Sequence, residues 1–281
     1  MELINKDNIK NVIRMRDDNS HKGTYGRTLI VAGSDKYSGA AVLATTAAIY
    51  SGSGLVTIAS NPKTMSAINH SVPEAMTIDY SDTQQLLSLL PNLNVITIGP
   101  GLDLNIDGTN IIIESIIKNL NPQQTLIIDA SALDYISQNT NLLKEIKSNV
   151  ILTPHQMEWQ RLSKIKIDQQ NETTNIKKLD ELSPNAVLVL KKHHSEIYYK
   201  GHTSYINIGN PGMATGGTGD TLAGMIAGFV AQFGFSKKTV EAALFTHSYI
   251  ADKIYQNNYV VLPTNLISKI PETMKELSQN N

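Results

Sequence analysis

The amino-acid sequence predicts an α/β fold with a mostly parallel central sheet, on three observations. Apolar runs of strand length alternate with helical patterns along most of the chain. Successive runs end in glycine or polar residues and lead into the next helix, the βα succession of a parallel sheet. The 281 residues carry no internal repeat and no linker-like stretch, so residues 1–281 are expected to form one domain with a sizeable core.

Residues 1–18 carry a helix pattern and lack the apolar segment of a signal peptide. Thr28 to Ala32 reads as a short buried strand that leaves through Gly33, Ser34 and Gly39. The alanine-rich Ala40 to Ser51 follows as a helix whose small side chains permit close approach. Leu55 to Ala59 is a strand, Met65 to His70 helical, and Ala75 to Tyr80 a further strand. Asn94 to Ile98 ends in Gly99, Pro100 and Gly101 before an apolar helix through Ile106 to Leu120. Thr125 to Ile128 ends in Asp129, Ala130 and Ser131, and Asn149 to Leu152 runs into Thr153, Pro154 and His155. The polar Lys164 to Ser183 reads as surface helix and loop, without chemistry. Ala186 to Leu190 is a strand ending in Lys191, Lys192, His193 and His194. Glu196 to Lys200 and Thr203 to Ile208 form a hairpin through Gly201-His202. Thr239 to Ile254 and Leu262 to Leu277 are two closing helices.

In an open α/β sheet ligands bind outside the carboxyl ends of the strands, so these ends should converge on one crevice. The charge balance, 24 basic against 25 acidic residues, argues against a general nucleic-acid or membrane-surface role. Without cysteine there are no disulfides, thiolate metal sites or cysteine nucleophile. No stretch has the length and apolarity of a membrane span, and a cytoplasmic protein is the expectation.

The chain is organised around Asn210 to Phe233, NPGMATGGTGDTLAGMIAGFVAQF. Gly212, Gly216, Gly217 and Gly219 make a loop whose backbone can approach a ligand closely. Leu222, Met225, Ile226, Phe229, Val230 and Phe233 then recur at the spacing of one buried helix face. A helix entered through such a loop aims unpaired N–H groups and its positive dipole end at one point, which suits phosphate or a developing anion. Asp220 stands there with two readings, a helix N-terminal cap or, with Thr218 capping instead, a general base. The loop is neither a P-loop nor a GxGxxG fingerprint.

The polar strand ends also have plainer readings: Asp129 as a turn acceptor, His155 as a packed histidine, Lys191 and Lys192 as a solvated strand end. His21, His70, His202 and His247 have no partners at metal-ligand spacing and read as structural or surface residues, so no metal site is assigned. The joint placement of so many polar groups at strand ends favours function.

GTYGRTLIVAGSDKYSGAAVLA, VITIGPGL, IIDASAL, ILTPHQMEW, VLKK and NPGMATGGTGDTLAG together resemble the bacterial NAD(P)H-hydrate dehydratases of the ribokinase-like superfamily, over about Lys22 to His247. One position departs: Lys191-Lys192 stands where the family usually has Lys-Gly. The resemblance implies a ribokinase-like three-layer α/β/α sandwich. It also implies ADP-dependent dehydration of hydrated NADH and NADPH to NAD(P)H with release of AMP and phosphate. ADP, with ATP as the alternative nucleotide, would be the cosubstrate, accompanied by Mg2+. By the same resemblance Asp220 is the catalytic base and Gly217, Thr218 and Gly219 form the anion hole. Lys191, Lys192, His193, His194, Ser195 and Gly219 correspond to nucleotide-binding positions, and Ala40, Gly101, His155 and Asp220 to positions that hold the hydrate. The partners are then small molecules, with neither nucleic acid nor membrane, and the assembly a homo-oligomer, a tetramer. Two alternatives stay open: a kinase of the same superfamily acting on a hydroxymethyl heterocycle or sugar, and a nucleotide-binding module without turnover.

Overall fold

The buried apolar runs become strands covered on both faces, the pattern that parallel sheets require. In the computed structural model they are β2 (Arg27–Val31), β3 (Leu55–Ser60), β4 (Met76–Asp79), β5 (Val95–Ile98), β6 (Thr125–Ile128), β7 (Asn149–Leu152) and β8 (Ala186–Leu190). Three short strands extend one edge: β1 (Glu2–Leu3), β9 (Glu196–Tyr199) and β10 (His202–Tyr205). Residues 1–106 and 108–279 are described; Asp107, inside the helix expected from Ile106, lies outside the described residues, as do Asn280 and Asn281. One ten-stranded sheet runs β1-β10-β9-β8-β7-β6-β5-β2-β3-β4. It is parallel from β4 to β8 and antiparallel at β8–β9 and β9–β10.

Alternation along each strand sends side chains to two separate cores. Ile30 of β2 and Ala32 just beyond it face one cluster, with α1 (Ser38–Tyr50), α2 (Pro62–Ser71), α9 (Thr218–Phe233), α10 (Lys237–Tyr255) and α11 (Pro263–Gln279). Leu29 and Val31 face the other, with α3 (Thr83–Leu89), α4 (Thr109–Asn119), α5 (Ala130–Gln138), α6 (Asn141–Glu145), α7 (Gln156–Ser163) and α8 (Glu172–Leu182). The result is the three-layer sandwich. The strand order reverses between β2 and β5, where Gly33 N donates to Pro100 O at 2.8 Å and opens the crevice expected at such a switch point.

The entry to α9 is set by its close packing on α1. A Cβ on Gly224 would lie 2.1 Å from the carbonyl oxygen of Ala44, and one on Gly228 2.6 Å from that of Ala48, so only glycine lets the two backbones approach this far. Gly224→Ala should therefore destabilise the fold by about 1–3 kcal/mol, the usual cost of overpacking, and lower Tm by roughly 3–10 °C. Thermal unfolding followed by circular dichroism checks this, and an unchanged Tm would show that the helices can separate freely.

The opening helix pattern does not form. Glu2 and Leu3 pair with Ser204 and Tyr205 of β10, and Asn5 and Asn8 bond each other's backbone N–H through their side chains at 3.0 Å. Such local side-chain bonds satisfy the backbone in turns and compete with a helix. Ile4, Ile9 and Ile13 are nonetheless buried, and their spacing imitates a helical face. The predicted hairpin forms with shorter strands and turns at Lys200 and Gly201, whose φ values of +48° and +75° suit a two-residue primed turn. Among the described residues no helix is long and apolar enough to cross a membrane.

Candidate active site

The carboxyl ends of β6, β7 and β8 meet around Lys191. This residue prolongs β8 by a single parallel bridge to His155, with its N–H donating to Pro154 O at 2.8 Å. Its ammonium donates to Asp129 Oδ1 at 2.8 Å, and Asp129, at the end of β6, is only 1% exposed. Burial alone would lower the Lys191 pKa, but the carboxylates of Asp129, Glu158 and Asp220 reverse the effect and hold it above the ordinary value. Glu158 is brought close by α7, whose first turn is closed by His155: Nδ1 accepts from the N–H groups of Met157 and Glu158, while Glu158 Oε2 accepts from His155 N at 2.7 Å. Burial pushes the Glu158 carboxyl up, against the pull of Lys191.

Across from this cluster the glycine loop leads into α9. Thr218 Oγ1 donates to the carbonyls of Met213 and Thr215 at 3.0 Å each, which folds the loop back on itself. Gly217, at φ +92°, is the residue preceding the first turn, and no side chain caps the helix. Both capping readings are thereby corrected: the Thr218 hydroxyl is spent on the loop, and Asp220 sits inside the first turn. Among the described residues the amides of Gly217, Thr218 and Gly219 donate to no acceptor, and the Asp220 carboxylate accepts no hydrogen bond. Burial, with the nearby charge of Asp129, pushes Asp220 up to about 6, and Lys191 draws it partly back. A carboxylate free of structural partners, with its pKa near neutrality and beside a row of unpaired N–H groups, can take a proton where negative charge is held.

A cavity of about 980 Å3 opens over this row, lined by Lys191 to Ser195 on one side and Thr218 and Gly219 on the other. Lys191 reaches across it: a Cβ on Gly219 would lie 3.2 Å from the ammonium. Lys192 pairs with Glu196 at 2.6 Å, and Glu196 accepts from Tyr198 at 2.5 Å. Asn175 donates to Tyr198 OH at 3.0 Å and accepts from Trp159 Nε1 at 2.8 Å, so a buried network steadies this wall. Gly101 has φ +65°, and a Cβ there would lie 2.8 Å from that of Ala40. Ala40 lies in the first turn of α1, about one turn before Leu43, which packs against Gly217.

A family model described as NAD(P)H-hydrate dehydratase matches residues 28–272. The ADP-dependent (S)-NAD(P)H-hydrate dehydratase of Staphylococcus aureus is 43% identical, over 99% of this chain and 97% of its own. The chain belongs to the NAD(P)H-hydrate dehydratase family. The crystal structure of the ADP/ATP-dependent NAD(P)H-hydrate dehydratase from Bacillus subtilis, obtained with ATP and Mg2+, is 27% identical with TM-score 0.86, covering 98% of both chains. A ribokinase-like superfamily protein of Enterococcus faecalis is 39% identical with TM-score 0.93, over 99% of this chain and 97% of that one.

Within this family fold the predicted residues fall into three groups. Lys191, Lys192, His193, His194, Ser195 and Gly219 line one cavity. Ala40 and Gly101 touch each other, with Asp220 at the head of α9. His155, expected opposite the nucleotide residues, lines the same cavity as they do and bridges to Lys191. The departure at Lys192 is free of strain, because the left-handed residue of this turn is His194, at φ +60°. Sequence reasoning missed Glu158, although its three-residue spacing from His155 was the available signal: a histidine in place of Ser or Thr hides the capping box. His247, read as structural or surface, is 3% exposed and lines the cavity, and burial pushes it down to about 4, so its imidazole is neutral. Nothing in the sequence marks that placement.

Proposed function

We propose that this protein dehydrates hydrated NADH and NADPH at the expense of ADP, yielding NAD(P)H, AMP and inorganic phosphate. The observation that carries the reading is Asp220, without a structural partner and with a raised pKa, next to unpaired amides at the mouth of a nucleotide-sized cavity. The C6 hydroxyl of the hydrated ring attacks the β-phosphorus of ADP and Asp220 takes its proton, while the amides of Gly217, Thr218 and Gly219 stabilise charge on the phosphoryl oxygens. The P–O bond to AMP breaks. The ring-nitrogen lone pair then expels phosphate from C6, and loss of the C5 proton restores the dihydropyridine ring. Lys191 to Ser195 and Gly219 hold the nucleotide, with Ala40, Gly101 and His155 toward the hydrate.

Three carboxylates, Asp129, Glu158 and Asp220, share one ammonium here, and this excess of negative charge fits a nucleotide-bound cation. Mg2+ in such a site would be carried mainly by phosphates and water. Asp129 and Glu158 are the residues that would hold it, and it would neutralise charge on the phosphates. We further take residues 1–281 as one domain, supported by the single sheet, and expect a cytoplasmic homotetramer with ADP as cosubstrate and ATP as the alternative nucleotide.

Incubation with hydrated NADH and ADP should restore the dihydronicotinamide absorbance with one AMP formed per NADH. A phosphorylated product that accumulates without NADH would instead mark a kinase. His155→Ala should chiefly weaken use of the hydrate and leave ADP affinity within about threefold, the effect of losing one contact on one ligand. Separate titrations of the two ligands decide it: collapse of ADP affinity with the hydrate unaffected would reassign His155 to the nucleotide, next to Lys191.

A further inference from the structure

We propose that a second cavity, at the opposite end of α9, binds a small organic anion with an apolar body. Helix α9 has 16 residues, so its last turn lies about 24 Å from the anion hole at 1.5 Å per residue. There the chain from Ile13 to Asp18 lies over the ends of α1, α9 and α11 and borders an open hollow of about 610 Å3, within the range of about 300–1,000 Å3 typical of small-molecule sites.

The lining is both cationic and apolar. Arg14, Arg16 and Lys275 face the space with a single carboxylate among the lining residues, that of Asp18. Arg16 is held in place: it donates to Gly52 O at 2.5 Å and to Gln232 Oε1 at 3.0 Å, and its guanidinium lies 3.8 Å over the Tyr25 ring. Among the described residues Arg14 has no ion-pair partner and the Lys275 ammonium meets only the thioether of Met15, at 3.4 Å. A thioether is a weak acceptor for an ammonium, so among the described residues two cations remain unmatched. Ile13, Ile49, Phe233 and Met274 supply apolar wall. Inorganic phosphate would answer the charges but leave this wall bare, whereas an aromatic or aliphatic carboxylate, sulfonate or phosphate ester answers both.

The site is independent of the dehydratase reading and is tested without turnover. The probe is anilinonaphthalene sulfonate, an aromatic anion, titrated by fluorescence into the whole protein with ADP saturating so that the nucleotide cavity is filled. One equivalent should bind. Reversing both free cations (Arg14→Glu with Lys275→Glu) should weaken binding about tenfold or more, while Arg14→Lys with Lys275→Arg should retain it, for pairs partly shielded from water. Circular dichroism establishes that both variants are folded, and the conservative pair still tests the site if the reversed pair is not. Unchanged affinity in the reversed pair, no binding once ADP is saturating, or non-saturating uptake would each overturn the proposal.

Discussion

Asp220→Asn is expected to lower turnover by about two to four powers of ten while ADP affinity stays near that of the parent, the signature of a lost general base. The parent should show kcat/KM falling with acid as Asp220 protonates near its value of about 6. The same change should make the protein more stable. The folded-state pKa lies above the ordinary 3.8, so between 3.8 and about 6 the folded chain binds more proton than the unfolded one, and stability is lost as pH rises through that window. Asparagine removes this penalty. Above pH 6 the variant should gain on the order of 1–2 kcal/mol, discounted because the carboxylate is partly exposed. Denaturant unfolding at pH 5 and pH 8 measures it. A turnover near the parent's, or a variant less stable at pH 8, would make Asp220 an ordinary acid of the first helical turn.

Gly217→Val should reduce turnover by about 10²–10³-fold and weaken ADP binding as well, the scale of a damaged oxyanion hole. Gly217 has φ +92°, which a β-branched residue resists, and its new side chain would start 2.3 Å from Leu43 Cδ1. Leu43 can swing aside at small cost; the backbone cannot hold its course, and the amides beyond it would turn away from the phosphoryl oxygens. Steady-state kinetics with a calorimetric ADP titration checks both effects. A folded variant with parental kinetics would mean that the loop does not cradle phosphate.

The strands were legible because burial on both faces leaves little but Val, Ile and Leu, as in Ala186–Leu190, and helix α9 because its apolar spacing follows directly on the glycines. The convergence of strand ends was legible in outline, for Asp129, His155 and Lys191 each follow a strand. What sequence could not supply was pairing at long range. The contact between Lys191 and Asp129 spans 62 positions, and no local pattern announces it. Nor did the apolar spacing of Ile4, Ile9 and Ile13 reveal that Asn5 and Asn8 would close turns instead of a helix. The two cap readings of Asp220 and Thr218 were undecidable for the same reason, since the hydroxyl's true partners are the carbonyls of Met213 and Thr215.

The contact of Gly224 and Gly228 with α1 bears on where catalytic motion can arise. With their backbones locked together, α1 and α9 behave as one plate, and the first turns that carry Ala40 and Asp220 keep a fixed separation. Breathing of the site therefore falls to the segments flanking this plate, the loop ahead of Gly217 and the hairpin that follows Lys191. Amide hydrogens from Leu222 to Val230 would exchange only with global unfolding, and those of the flanking segments much sooner. Substrate entry is then a matter of hinged loops moving over an immobile floor, and the spacing between base and hydrate pocket survives each cycle of opening.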